Sequence, residues 1–117
     1  MGCGVDTIYP PEHARRAQQM MESGALVSDY APGTPPDAAN FAPRNRIIAG
    51  MSLATLVVET GEASGALLTA RYAAHQGRDV FAVPGNVFSP TSLGANRLIQ
   101  DGAQPAIEPN DILAALD

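Results

Sequence analysis

Residues 53–85, "LATLVVETGEASGALLTARYAAHQGRDVFAVPG", decide the fold. The runs at either end, "LATLVVET" (53–60) and "DVFAVPG" (79–85), are continuously apolar rather than alternating. An alternating strand keeps one face wet, whereas an unbroken apolar one is expected to be buried on both faces, as in a parallel sheet. Between the runs, Ser64 stands where an N-cap belongs and opens "GALLTARYAAHQ"; Gly77 stands at the C′ position that closes it. Strand, helix and strand at this spacing form a βαβ unit with a parallel sheet.

Outward from this unit the alternation continues. "GALVSDY" (24–30) reads as a strand, and "AQPAIEP" (103–109) as a weaker one. Pro10, Pro11 and Glu12 open a helical segment that Gly24 closes, with Ala14, Ala17 and Met21 on one face. Ser92 is the expected cap of "LGANRLIQD", which Gly102 ends, and "DILAALD" after Asn110 reads as a short last helix. The fold class is therefore α/β: an open, mostly parallel, Rossmann-like sheet with flanking helices, spanning residues 1–117 as one domain. "MGCGVD" resembles the tail of a strand entering a glycine turn, so further strands are expected upstream and the domain is read as truncated at its N-terminus.

Composition narrows the function classes. A chain of 117 residues is enough for one small core. Its net charge of −5 excludes a polycation that coats nucleic acid indiscriminately. All seven basic residues are arginines, so every positive charge is a planar fork that can bind phosphate bidentately or stack. One cysteine and no secretory leader pattern point to the cytoplasm, and no apolar run approaches the ~20 residues of a membrane-spanning helix.

Ligands of open α/β sheets sit at the carboxyl ends of the strands, beside helix N-termini. In this chain that rim carries Gly2, Gly4 and Asp6, then "NFAPRNRIIAG" (40–50), then Glu59, Gly61, Ser64 and Gly65, and last Pro84, Gly85, Asn86, Phe88 and Ser89. The most informative of these is the cluster Phe41, Arg44, Asn45 and Arg46. On a helix Phe41 and Arg44 lie one turn apart on one face, while Arg44 and Arg46 diverge by ~200°. A ring beside a guanidinium can take an unstacked base and its phosphate. Either arginine alone is ordinarily the ion-pair partner of an acid such as Asp37 or Glu59, and Phe41 alone is ordinarily core. Together at a strand end, they favour a polyanion site.

Other readings are weaker. Ser64-Gly65 fits an anion-binding helix start as well as a plain cap. No G-K-[ST] and no G-x-G-x-x-G occurs, so neither a Walker loop nor a dinucleotide fingerprint is present. Glu59 closes a strand without a partner carboxylate in sequence. His13 and His75 fall on helix surfaces without a second ligand at metal spacing, and Cys3 reads as a buried thiol. No catalytic set, metal or cofactor is expected.

"GCGVDTIYPPEH", "GALVSDYAPGTPP", "NFAPRNRIIAGMS", "LVVETGEASGALLTARYAAHQGRDVFAVPGNVFSP", "GANRLIQDGA" and "DIL" stand in an order and spacing that resemble the DNA processing protein A family, also called Smf. The resemblance runs nearly end to end. It implies a Rossmann-like domain that binds single-stranded DNA without sequence preference, protects incoming strands in natural transformation, loads the RecA recombinase and forms homodimers. The family's basic contact segment then falls on Phe41, Arg44, Asn45 and Arg46, its helix start on Ser64 and Gly65, and its rim loop on Pro84, Gly85 and Asn86. The dimer contact would fall between Leu93 and Ile107, with Leu98 and Ile99 at its centre. The family's earlier Gly-Ser-Arg turn and Ser-Gly-x-Ala-x-Gly-Ile-Asp segment are not in this chain, Asp29 stands where many relatives have glutamate, and Ala42 and Pro43 where many are basic. The alternatives are a nucleotide-binding domain of the same superfamily, whose pocket holds one small ligand, and an enzyme of similar fold, a nucleoside-monophosphate phosphoribohydrolase of the lysine decarboxylase-like type. Its Pro-Gly-Gly-x-Gly-Thr-x-x-Glu cradle reads "AGMSLATLVVE" here, with only Glu59 in place.

Overall fold

The computed structural model describes residues 1–116 and groups the chain into two compact units, Met1–Arg44 and Asn45 onward.

The second unit holds the sheet. Three parallel strands, β1 (Ala54–Val57), β2 (Asp79–Ala82) and β3 (Gln104–Pro105), lie in the order β1-β2-β3. Leu56 registers with Phe81, Val57 with Ala82, and Ala82 in turn with Pro105. The α/β, mostly parallel architecture read from residues 53–85 is thus present. β2, in the middle, buries both faces through Phe81 and Ala82. β1 does not: Val57 is buried, but Leu56 and Val58 on the opposite face are exposed. An unbroken apolar run therefore overstated its burial, because β1 is the outer strand of the three and only its inward face is covered.

The helices of this unit carry the expected punctuation. Helix α3 (Gly65–His75) starts at Ser64, whose backbone is extended and whose Oγ accepts the Leu67 N–H at 3.4 Å. It ends in a Schellman turn: Gly77 N–H reaches Ala74 O, Arg78 N–H reaches Ala73 O, and Gly77 takes φ +69°. Helix α4 (Leu93–Gln100) closes the same way at Gly102. Its start differs from expectation, since Ser92 is helical in backbone and makes no side-chain cap bond. Helix α5 (Pro109–Leu116) is held by Asp111, whose carboxylate accepts the N–H groups of Ile107 and Glu108. Small residues let the helices sit close on the sheet: Val57, Ala70, Ala82 and Ala95 form the core cluster, with Val80, Leu98, Ile99 and Ala103 packed against it.

In the first unit, a 3₁₀ turn (Pro11–His13) leads into helix α1 (Ala14–Met21), which buries Ala17 and leaves Met21 exposed, contrary to the apolar face read for it. Residues 24–30 form no strand. Apolar, extended residues do not make a strand without a ladder partner, and what fastens these is a side chain: Ser28 Oγ donates to Cys3 O, twenty-five residues back, at 2.6 Å and accepts from Tyr30 N–H at 3.2 Å. Cys3 is buried, its thiol directed to Thr7 O. Helix α2 (Ala38–Met51) runs through the boundary between the units. Asp37 Oδ1 caps it by accepting the Ala39 N–H at 2.8 Å.

Candidate nucleic-acid interface

Helix α2 carries the basic cluster. Pro43 lies inside it, a position that removes one backbone donor and ordinarily breaks a helix. The helix continues nonetheless, and so Phe41 and Arg44 do lie one turn apart. The Arg44 guanidinium carbon sits 5.6 Å from the centre of the Phe41 ring, a cation–π geometry. Phe41 is half-buried, with Tyr9 tilted beside it at 5.8 Å and Gly2 against its edge. Asn40 steadies the same turn by donating to Gly2 O at 3.2 Å and accepting the Tyr30 hydroxyl at its own carbonyl. The ring thus holds Arg44 in place rather than lying open.

On the other side of the unit boundary, Asn45 and exposed Arg46 continue α2. Asn45 Nδ2 lies 4.0 Å from where a Cβ on Gly65 would stand, which brings Asn45 to the start of α3. The hydroxyls of Thr60 and Ser64 bond each other there. Of the acids expected to pair with the arginines, Asp37 caps α2, and Glu59 accepts the Thr91 hydroxyl at the carboxyl end of β1.

The rim loop after β2 is fastened by Asn96 and Thr91, which sequence reading left without a role, together with Asn86 and Ser89 of the loop itself. Asn96, on α4, donates through Nδ2 to Gly85 O and accepts the Gly85 N–H at Oδ1, each at 3.0 Å, so its amide acts as a substitute strand neighbour. Asn86 Oδ1 accepts the Phe88 N–H at 2.9 Å, and Ser89 meets Thr91 at 3.1 Å. Pro84, Gly85 and Asn86 are exposed on this loop, as are Ser64 and Gly65 at the α3 start. An asparagine inside a helix pattern was the available signal for Asn96, since its amide competes for backbone groups outside the helix. Arg97 pairs with Glu62 at 3.3 Å, with both side chains largely exposed. His13 and His75 are exposed, and no group of three metal-type ligands exists among the described residues. Of the four residues expected at a dimer contact, Leu98 and Ile99 pack on the chain's own core, Leu93 is at the edge of exposure and Ile107 is open to solvent.

The model of the family "DNA recombination-mediator protein A" matches residues 1–117. The chain belongs to this family. Protein Smf of Escherichia coli K12 is 50% identical over 117 residues, covering 99% of this chain and 31% of that protein. The DNA processing protein DprA of Streptococcus pneumoniae R6 is 38% identical, covering 100% and 42%. The chain thus spans less than half the length of these relatives. Among solved structures, DNA processing protein A from Streptococcus pneumoniae superposes with a TM-score of 0.83 at 40% identity, over 99% of this chain and 41% of that one. The Helicobacter pylori family member, described for its single-stranded DNA binding mode, superposes with a TM-score of 0.82 at 25% identity, over 98% and 53%. The Rossmann-like fold of the family is therefore that of this chain as well. Among the described residues, no helix is long and apolar enough to cross a membrane.

Proposed function

We propose that this chain is a single-stranded DNA-binding module that acts without making or breaking covalent bonds, in the cytoplasm. The observation that carries the reading is the Phe41–Arg44 pair, a guanidinium fixed over a ring within a basic helix segment. Arg44 and Arg46 take backbone phosphates, and the half-buried Phe41 ring orients Arg44 beside the base that follows. Asn45, Ser64 and Gly65 supply polar and N–H groups to the strand, and Pro84, Gly85 and Asn86 on the rim loop border its path. The solved Helicobacter pylori relative supports this ligand class. The longer reading implied by the family is protection of incoming strands during natural transformation, delivery to RecA and homodimerisation through the region from Leu93 to Ile107, including Leu98 and Ile99.

The test is fluorescence anisotropy with labelled oligo-dT across a salt series. Arg44→Ala and Arg46→Ala should each weaken binding and flatten the dependence of log K on log salt by about 0.7 per lost phosphate contact. Phe41→Ala should weaken binding and, if the ring acts by orienting Arg44, flatten the slope by no more than Arg44→Ala does. Equal affinity and equal slope in Arg44→Ala and the parent would discard the assignment.

A further inference from the structure

We propose that Tyr9 is the stacking platform for a base of single-stranded DNA, set beside the arginine that takes the adjoining phosphate. The proposal rests on the strand-binding reading above and adds a base contact to it.

Within the first unit, Phe41 is the common neighbour of a second ring and a cation. Tyr9 lies against it with ring centroids 5.8 Å apart and planes inclined by 40°, and the Arg44 guanidinium carbon is 5.6 Å from its centre. Phe41 itself is poorly placed to take a base. It is half-buried, and Gly2 sits so close to its edge that a Cβ there would stand 2.7 Å from Cδ1. Tyr9, by contrast, is 51% exposed. Of the chain's three tyrosines it is the open one: Tyr30 and Tyr72 are half-buried, and the Tyr30 hydroxyl is given to Asn40 O.

A single exposed aromatic is commonplace, but this one is presented by a fastened segment. Before it, Gly4 N–H bonds Thr34 O at 2.9 Å, Thr7 N–H bonds Gly4 O at 3.1 Å, and the Asp6 carboxylate accepts the Gly33 N–H at 2.9 Å. After it, the rings of Pro10 and Pro11 fix φ, and His13 N–H bonds Pro10 O at 3.0 Å. Holding the backbone beforehand lowers the ordering cost of binding to the ring.

A nucleotide in a single strand presents a flat base and an anionic phosphate, separated by a sugar. An open ring and a guanidinium on either flank of one shared neighbour match those two groups. Every base has a π-face, so the contact is tolerant of sequence. It also neutralises no phosphate, so its contribution is the same factor at every salt concentration.

The test follows labelled oligo-dT by anisotropy across a salt series. Tyr9→Leu should lose roughly five- to a hundredfold in affinity, the range of one base–aromatic stack, with its salt slope unchanged. Tyr9→Phe, which keeps the ring, should restore that loss. The chain has no tryptophan, so Tyr9→Trp creates a unique fluorophore that keeps the platform. Its fluorescence should be quenched by oligo-dT in step with anisotropy, and left unquenched by an abasic oligomer of the same length. If the parent binds oligo-dT and Tyr9→Leu binds it equally well, the Tyr9 site is wrong while the strand-binding reading stands. If Tyr9→Leu flattens the salt slope, the ring acts by positioning Arg44 through Phe41, and the stacking proposal is overturned. Quenching by the abasic oligomer would overturn it too. If the parent does not bind oligo-dT at all, both readings fall.

Discussion

Gly94, in the first turn of α4, has no space for a side chain. A Cβ there would stand 2.2 Å from Gly61 O and 2.8 Å from Thr60 O, while the Gly94 N–H itself donates to Thr60 O at 2.9 Å. The obstruction is backbone, so it cannot swing aside as a side chain can. Gly94→Ala should therefore destabilise the fold by about 1–3 kcal/mol, the usual cost of forcing a methyl group into a packed site, and urea denaturation will read it. The Arg44–Phe41 pair raises a different question at the same scale. The cation–π contact itself is worth about 0.5–2 kcal/mol, so the urea midpoint of Arg44→Ala separates loss of DNA binding from loss of folding. Equal urea midpoints for parent and variant would verify that separation.

At the scale of elements, the three helices after β1 begin in three different ways. Ser64 caps α3 through its hydroxyl; Ser92 precedes α4 without a side-chain bond; Asp111 reaches back from inside α5. Ser64→Ala should cost about 0.5–2 kcal/mol in thermal or urea unfolding, whereas Ser92→Ala should stay within about 0.5 kcal/mol of the parent. A larger loss at Ser92 would contradict the observed cap geometry. Asp111 also makes α5 sensitive to pH. Hydrogen bonds from the backbone N–H groups of Ile107 and then Glu108 hold its carboxyl below the ordinary aspartate value of 3.8. A carboxyl depressed in the folded state stabilises above its unfolded value and loses that stabilisation as pH falls through the folded one. Amide exchange at Ile107 and Glu108 should therefore gain excess opening as pH drops below about 3.8, and Asp111→Asn should remove the pH-dependent part.

Taken whole, the molecule is acidic, with a net charge of −5 and all its positive charge on arginine. Binding to a polyanion must then come from local fields, and the affinity of the parent for oligo-dT is expected to fall steeply with ionic strength. A second property belongs to this scale. Ile107 is 84% exposed just beyond the end of β3. If the proposed homodimer uses this region, Ile107→Glu should shift sedimentation toward monomer, because a charge would have to be desolvated at the contact. An unchanged distribution would remove Ile107 from that surface.

Local chemistry in the sequence was enough for the parallel strands at 54–57 and 79–82, the Ser64 cap and the glycine ends of α3 and α4. Each depends on a few neighbouring residues: apolar runs, an N-cap hydroxyl, a residue free to take positive φ. It was also enough to single out Phe41 and Arg44 as a pair, since helical spacing alone brings them together. Tertiary structure decided the rest. Residues 24–30 have the composition of a strand but no ladder alongside. Helix α2 persists through Pro43, and the apolar run of β1 is covered on one face only. The clasp of Asn96 on Gly85, eleven residues apart, and the bond from Thr91 to Glu59 across thirty-two are likewise invisible to any local pattern. A hydrogen-bond partner distant in sequence is chosen by how the sheet and helices pack, and so the shape of the rim loop emerges only in three dimensions.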